Sequence, residues 1–369
     1  MNDAPGSTAE ILCVIRNGVG VITLNRPAAL NALSLSMILD LRTVLDECAR
    51  NPLVRAILLK GAGEKAFCAG GDIRALFQSA QESGSLHHQF FICEYRVDFQ
   101  LHTFPKPYVA VLDGITMGGG MGLAQGSSLR VVGERTRIAM PEVGIGLFPD
   151  VGASYFLSRL PGSLGPYLAL TGLQIRGVDA VYCRLADVYW PPAAAAALDQ
   201  DLAGMIWTGD TATDLRRWVH DRAARGLPAP SLSVLRPAID RHFSQPSVHG
   251  ILESLDAEVR PEFHDWAQRT AKLMRTRSPT MLTDALRQLE RGKSLSLADC
   301  FRMELAMVEQ CFEQGDFVEG VRALLIDKDN APRWNPGRLD QVTDESVAKF
   351  FCSPWRGADH PLADLENTP

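Results

Sequence analysis

Two stretches of the chain share one design: a short apolar run, a glycine-rich turn, then a helical pattern. Residues 54–59 lead into the glycine-rich segment 61–72, and residues 108–112 lead through a second glycine turn into a helix from about Gly119. Short apolar runs that alternate with helical patterns, with the same loop design following two buried strands, predict an α/β domain. The flanking segments agree. Residues 11–15 and 19–24 bracket Asn17-Gly18, a strong hairpin signal. From Ser34 onward Met37, Leu41, Val44, Leu45 and Cys48 share one helical face, with Ser34 or Ser36 as cap, and residues 85–103 predict a long amphipathic helix.

The chain changes character at residues 191–199, an alanine- and proline-rich stretch that reads either as a boundary or as a helix start. Beyond it, residues 281–289, 297–312 and 317–325 carry helical periodicity with few strand signals. Residues 331–340, with Trp334 and the prolines Pro332 and Pro336, read as an ordered loop before a terminal helix at 345–351. The expected division is a sheet-bearing part, residues 1–200, and a mostly helical region, residues 201–369.

Composition narrows the class of partner. With 369 residues, 46% of them hydrophobic, the chain can bury a core of one large domain or two moderate ones. The net charge of -6 comes from interspersed acids and bases, so neither nucleic acid nor an anionic membrane surface is an expected partner. No apolar run approaches membrane-spanning length. Residues 1–10 lack a basic region and an apolar core of the kind that directs secretion, and a cytoplasmic enzyme is expected. The eight cysteines form no CxxC pair and no metal-ligand spacing with histidine, so they read as reduced core thiols, with no metal site. The eight histidines lack a Ser or Cys partner in any nucleophile motif.

Three segments carry candidate chemistry. Residues 66–73 (AFCAGGDI) put Gly70 and Gly71 between a strand and a helix, where backbone N–H groups can face an anion unobstructed. Gly118, Gly119 and Gly120 make a second loop of this kind ahead of a helical stretch whose N-terminus favours developing negative charge. Together the loops can donate two N–H groups to one oxygen; equally, clustered glycines mark tight turns and close packing. Residues 140–152 place Glu142 and Asp150 among apolar and small residues, which costs free energy unless the carboxylates are paired or used. The plainer readings are a helix N-cap for Asp150 and a solvated turn for Glu142. Lys65, Arg74 and Lys106 are the cations near these loops that can meet a phosphate.

Taken in order, residues 20–33 (GVITLNRPAALNAL), 66–73 (AFCAGGDI) and 114–122 (GITMGGGMG) resemble the crotonase, or enoyl-CoA hydratase/isomerase, superfamily. Residues 139–152 (AMPEVGIGLFPDVG), 278–289 (SPTMLTDALRQL) and 316–329 (DFVEGVRALLIDKD) are most similar to its 3-hydroxyisobutyryl-CoA hydrolase branch, which extends the resemblance to nearly the full chain. The resemblance implies a ClpP/crotonase-like β-β-α spiral core with a helical C-terminal region, and an acyl-CoA substrate. It implies an oxyanion hole from the N–H groups of Gly71 and Gly119, flanked by Gly70 and Gly118, and functional carboxylates at Glu142 and Asp150. It implies hydrolysis of 3-hydroxyisobutyryl-CoA, and of related thioesters such as 3-hydroxypropionyl-CoA, in valine breakdown. No metal or redox cofactor is implied, CoA being part of the substrate, and trimers are common in the superfamily. Hydratases carry a second glutamate shortly after the glycine loop, where this chain has Gly122. The departure weakens the alternative of an enoyl-CoA hydratase or isomerase. Glu142 would activate a water or attack to give a mixed anhydride; both routes stand. A CoA-binding scaffold without catalysis is the non-enzymatic rival.

Overall fold

The computed structural model describes residues 9–314 and 316–366, so most of the N-terminal stretch read for targeting lies outside the described residues. Asn17 and Gly18 take φ of +47° and +79°, as a two-residue hairpin turn demands, and join strands β1 (Ile11–Arg16) and β2 (Val19–Leu24). Ser34 caps the Leu35–Arg50 helix, its hydroxyl accepting from Met37 N.

Contacts group the chain into two units. Among the described residues the first comprises residues 9–71, 97–138 and 175–230, and the second residues 72–96, 139–174, 231–314 and 316–366. In the first unit, β3 (Ala56–Gly61), β5 (Tyr108–Leu112), β7 (Leu129–Val132) and β10 (Val188–Tyr189) extend the hairpin into a six-stranded sheet of order β1-β2-β3-β5-β7-β10. Every neighbouring pair except β1–β2 is parallel, as the repeated strand-turn-helix pattern requires. Alternate residues Val19, Val21, Ala56, Leu58, Val109, Val111, Leu129 and Val131 share one face and pack with Leu198, Leu202, Leu215, Trp190 and Trp218. Gly20 faces the other way, where an added Cβ would lie 3.1 Å from Cys48 Sγ.

A second, four-stranded sheet runs β4 (Ala66–Cys68), β6 (Ile115–Met117), β8 (Arg137–Ala139) and β9 (Ile175–Arg176). β4 and β6 lie inside the stretches read as glycine turns; a three-residue strand is too short to show a period of two. Because they are parallel neighbours, the loops that follow them leave side by side.

The second unit is helical, and no strand follows Tyr189 among the described residues. Its long helices, Pro279–Gly292 and Leu297–Gln314, begin within two residues of where periodicity places them. Residues 317–325 differ: an α-helix, Asp316–Val321, widens into a π-helical turn, Arg322–Ile326. No described helix is long and apolar enough to cross a membrane.

On the Pro279–Gly292 helix, Asp284 is fully buried, and neither carboxyl oxygen has a hydrogen-bond partner among the described residues. Burial holds its pKa well above the ordinary aspartate value, against the nearby Arg287 charge. The folded chain therefore keeps a proton that the unfolded chain releases above about pH 4, so this group's contribution to stability falls as pH rises. Asp284→Asn, which cannot ionise, should gain on the wild type by at least about 1 kcal/mol between pH 4 and pH 8. Urea unfolding at both pH values checks this, and an equal difference at the two contradicts it.

Candidate active site

In the first unit the two glycine loops meet. Gly70 takes φ of +99°, and a Cβ built there would lie 3.1 Å from Met117 O and 3.5 Å from Gly119 N, so only glycine fits the approach. Leu33 N donates to Gly70 O at 2.8 Å and Ala69 N to Leu30 O at 3.1 Å, which pins the first loop. Gly120 fits for a similar reason: a Cβ there would be 2.4 Å from Cys68 O, in β4. Gly118 precedes the Gly119–Gln125 helix with φ of +49°. The N–H groups of Gly71 and Gly119 donate to no protein acceptor among the described residues. An amide without an acceptor is a donor held ready for a ligand or water.

The carboxylates meet in the second unit. Glu142 opens the 3-10 turn Glu142–Gly144, is 5% exposed, and has its Oε2 buried without a partner among the described residues. Asp150 is 4% exposed, and Tyr95 donates its hydroxyl to Asp150 Oδ2 at 2.8 Å. The plainer readings of both residues therefore fail. Glu142 is not solvated, and the residue that caps the Ala153–Phe156 helix is Gly152.

Glu94, which sequence analysis did not single out, completes the group: it is buried, with Oε1 unpartnered among the described residues. Burial, then the charges of Asp150 and Glu142, hold its pKa well above the ordinary glutamate value. Burial and the Asp150 charge do the same to Glu142. Asp150 is pushed up to about 7 by burial, which outweighs the Tyr95 hydrogen bond and its own backbone contact. Three carboxyl groups crowded into a water-poor site hold their protons to higher pH than ordinary carboxylates do, the property of groups that exchange protons with a substrate. A signal for Glu94 was present: it lies one helical turn after the buried Phe90, on the apolar face of the Leu86–His102 helix.

Two of the candidate cations are engaged elsewhere. Lys106 Nζ donates to the carbonyls of Cys48 and Asn51, satisfying the C-terminal end of the Leu35–Arg50 helix, and Arg74 donates to Leu325 O. No group of three His, Cys, Asp or Glu among the described residues is placed to hold a metal ion.

The family model for enoyl-CoA hydratase/isomerase matches residues 19–351. A Xenopus tropicalis protein named 3-hydroxyisobutyryl-CoA hydrolase, mitochondrial, is 42% identical over 93% of this chain and 89% of its own length. Arabidopsis thaliana 3-hydroxyisobutyryl-CoA hydrolase 1 is 37% identical over 98% of this chain and 97% of its own. Among solved structures, a carnitinyl-CoA dehydratase from Mycobacterium thermoresistibile superposes with a TM-score of 0.84 at 38% identity, covering 93% of this chain and 96% of that one. The spiral core and helical C-terminal region expected from the motifs accord with that likeness, and the chain belongs to the enoyl-CoA hydratase/isomerase, or crotonase, family, in its 3-hydroxyisobutyryl-CoA hydrolase branch.

Proposed function

We propose that the chain hydrolyses 3-hydroxyisobutyryl-CoA to 3-hydroxyisobutyrate and CoA, a step of valine breakdown, and accepts related thioesters such as 3-hydroxypropionyl-CoA. The observation that carries this reading is Glu142, a buried carboxyl with an oxygen unpartnered among the described residues, in a chain that aligns almost end to end with hydrolases of that name.

In the proposed reaction the N–H groups of Gly71 and Gly119 form the oxyanion hole, with Gly70 and Gly118 leaving the backbone bare for the thioester oxygen. Ionised Glu142 takes a proton from water as its oxygen bonds to the acyl carbon, or attacks that carbon itself to give an anhydride that water then opens. Either way the carbon–sulfur bond breaks and CoA leaves as a thiolate. With a thiol pKa of roughly 8.5, by analogy with cysteine, that leaving group needs little help from an acid. Asp150 is left to accept the substrate's 3-hydroxyl and orient the acyl chain. Water, a carboxylate and amide donors suffice for this chemistry, so no metal or redox cofactor is proposed.

The cytoplasm is the proposed compartment, a reducing one that suits eight cysteines with no disulfide among them. The Xenopus relative is named mitochondrial, and fractionation of the source cells checks the assignment. A homo-oligomer is proposed from the resemblance alone, with light scattering as its check.

Purified protein should release CoA from 3-hydroxyisobutyryl-CoA, and Glu142→Gln should lower kcat/KM by about 10²-fold or more. No release by the wild type overturns the reading. Because Glu142 must be ionised to act and its pKa lies well above the ordinary value, kcat/KM should rise with pH above the ordinary glutamate range. A profile flat from pH 5 to 8 contradicts that. Asp150→Ala should lose hydroxylated substrates selectively, measured against isobutyryl-CoA.

The dehydratase-named structure favours a second reading, addition of water across an enoyl-CoA double bond. Gly122, buried in the Gly119–Gln125 helix, offers no second carboxylate at the hydratase position. Loss of crotonyl-CoA absorbance without CoA release would establish hydration instead.

A further inference from the structure

The turn that carries Asp150 is held in an unfavourable backbone shape. Val151 takes φ of +55° and Gly152 φ of +86°, two consecutive residues in the left-handed region. For a β-branched residue this is a true outlier, and it persists only where surrounding structure over-determines it. The surroundings are two helices of the C-terminal region. From the Leu297–Gln314 helix, Glu304 reaches the turn with both carboxyl oxygens: Gly152 N donates to Oε2 at 2.7 Å and Ser154 N to Oε1 at 2.8 Å. One turn earlier, Phe301 lies 5.6 Å, centroid to centroid, from Tyr95, and its ring edge would be 3.1 Å from a Cβ on Gly152. From the Pro279–Gly292 helix, Gln288 donates to Pro149 O at 2.6 Å and to Ser154 Oγ at 2.8 Å.

Glu304 and Gln288 have no exposed surface. A fully buried acid inside an apolar helix face is a costly way to cap a four-residue helix, since a serine or aspartate within the turn itself would serve. What the arrangement does provide is a fixed position for the residue just before the strained pair. We propose that Glu304 is a positioning residue for Asp150: with Gln288 it clamps the 149–154 turn so that the Asp150 carboxyl, also held by Tyr95, is preorganised toward the substrate's hydroxyl. The inference rests on the reading of Asp150 as the group that meets that hydroxyl. It also assigns the C-terminal helices a part in the chemistry beyond covering the core.

The test compares full-length wild type, Glu304→Gln and Asp150→Ala. Deuterium exchange is followed in peptides covering residues 149–156 without substrate, and kcat and KM are measured with 3-hydroxyisobutyryl-CoA and isobutyryl-CoA. Glu304→Gln keeps the side chain's shape but turns one acceptor into a donor facing an N–H. It should speed exchange of the Gly152 and Ser154 amides by about fivefold, the loss of one hydrogen bond. It should also lower kcat on the hydroxylated thioester by up to about 10²-fold, the scale of a 1 Å misplacement, while KM and the rate on isobutyryl-CoA change little. Unchanged exchange, or equal loss on both substrates, overturns the proposal. Where Glu304→Gln does not fold, Gln288→Leu removes the second arm of the clamp and should shift exchange and selectivity in the same direction. Asp150→Ala reports on the reading beneath: if it leaves selectivity intact, that reading fails on its own evidence, and exchange at 152 and 154 still decides the clamp.

Discussion

Holding carboxyl groups out of water is the constraint around which the second unit is organised. Glu94, Glu142, Asp150 and Glu304 are each nine-tenths buried or more, and they come from three stretches of the chain, Glu142 and Asp150 sharing one. An isolated carboxylate in such surroundings costs several kcal/mol, which a fold avoids by protonating the group or by surrounding it with donors. Both devices are present. Glu94 and Glu142 keep oxygens without partners among the described residues and hold their protons into a higher pH range, whereas Asp150 receives the Tyr95 hydroxyl. Glu304, pushed up to about 8 by burial, takes two backbone N–H groups. This concentration of buried acid exceeds what packing needs, and perturbed acids of this kind cluster where chemistry is done.

The first unit solves a different problem, that of leaving backbone amides free of both side chains and acceptors. Its solution is topological. β4 and β6 are parallel neighbours, so their C-terminal loops emerge together, and the glycines at 70, 118 and 120 are those whose Cβ would strike the opposite loop or strand, or whose φ is positive. The large sheet does not touch this requirement directly. Its parallel order fixes where each crossover returns the chain, and the short strands inherit their adjacency from it.

Legibility in the sequence followed the length of the signal. The hairpin at Asn17-Gly18, the Ser34-capped helix and the long C-terminal helices were all readable, because turn chemistry and helical periodicity act over several residues. β4 and β6 were not, since three residues fit any period, and that small sheet is the element that joins the glycine loops. Among the site residues, Glu142 and Asp150 stood out by lying in an apolar run with family motifs around it. Glu94 and Glu304 each interrupt the buried face of an amphipathic helix, beside Phe90 and Tyr95 in one case and Phe301 and Leu305 in the other. An acid at such a position is a legible anomaly, but periodicity alone cannot tell which anomalies converge; Asp284 interrupts a helix face in the same manner and finds no hydrogen-bond partner among the described residues.

The raised proton affinity of Glu142 cuts both ways for the proposed hydrolysis. A stronger base abstracts a proton from water more readily, yet a smaller fraction of the enzyme holds that base ionised at neutral pH. Neighbouring carboxyls set the balance, because each negative charge beside Glu142 raises its basicity and lowers its ionised fraction together. Asp150, with a donor of its own in Tyr95, is the member of the group whose proton leaves near pH 7. Burial is the larger cause of the raised proton affinity of Glu142, and the ionisation state of Asp150 adjusts it further, since the Asp150 charge adds to the effect of burial. A residue placed to read a substrate hydroxyl would then also tune the base. A hydrogen bond from that hydroxyl would favour the ionised form of Asp150, and so make Glu142 a stronger base with a smaller ionised fraction when a hydroxylated substrate is bound, which links recognition to reactivity through one electrostatic interaction.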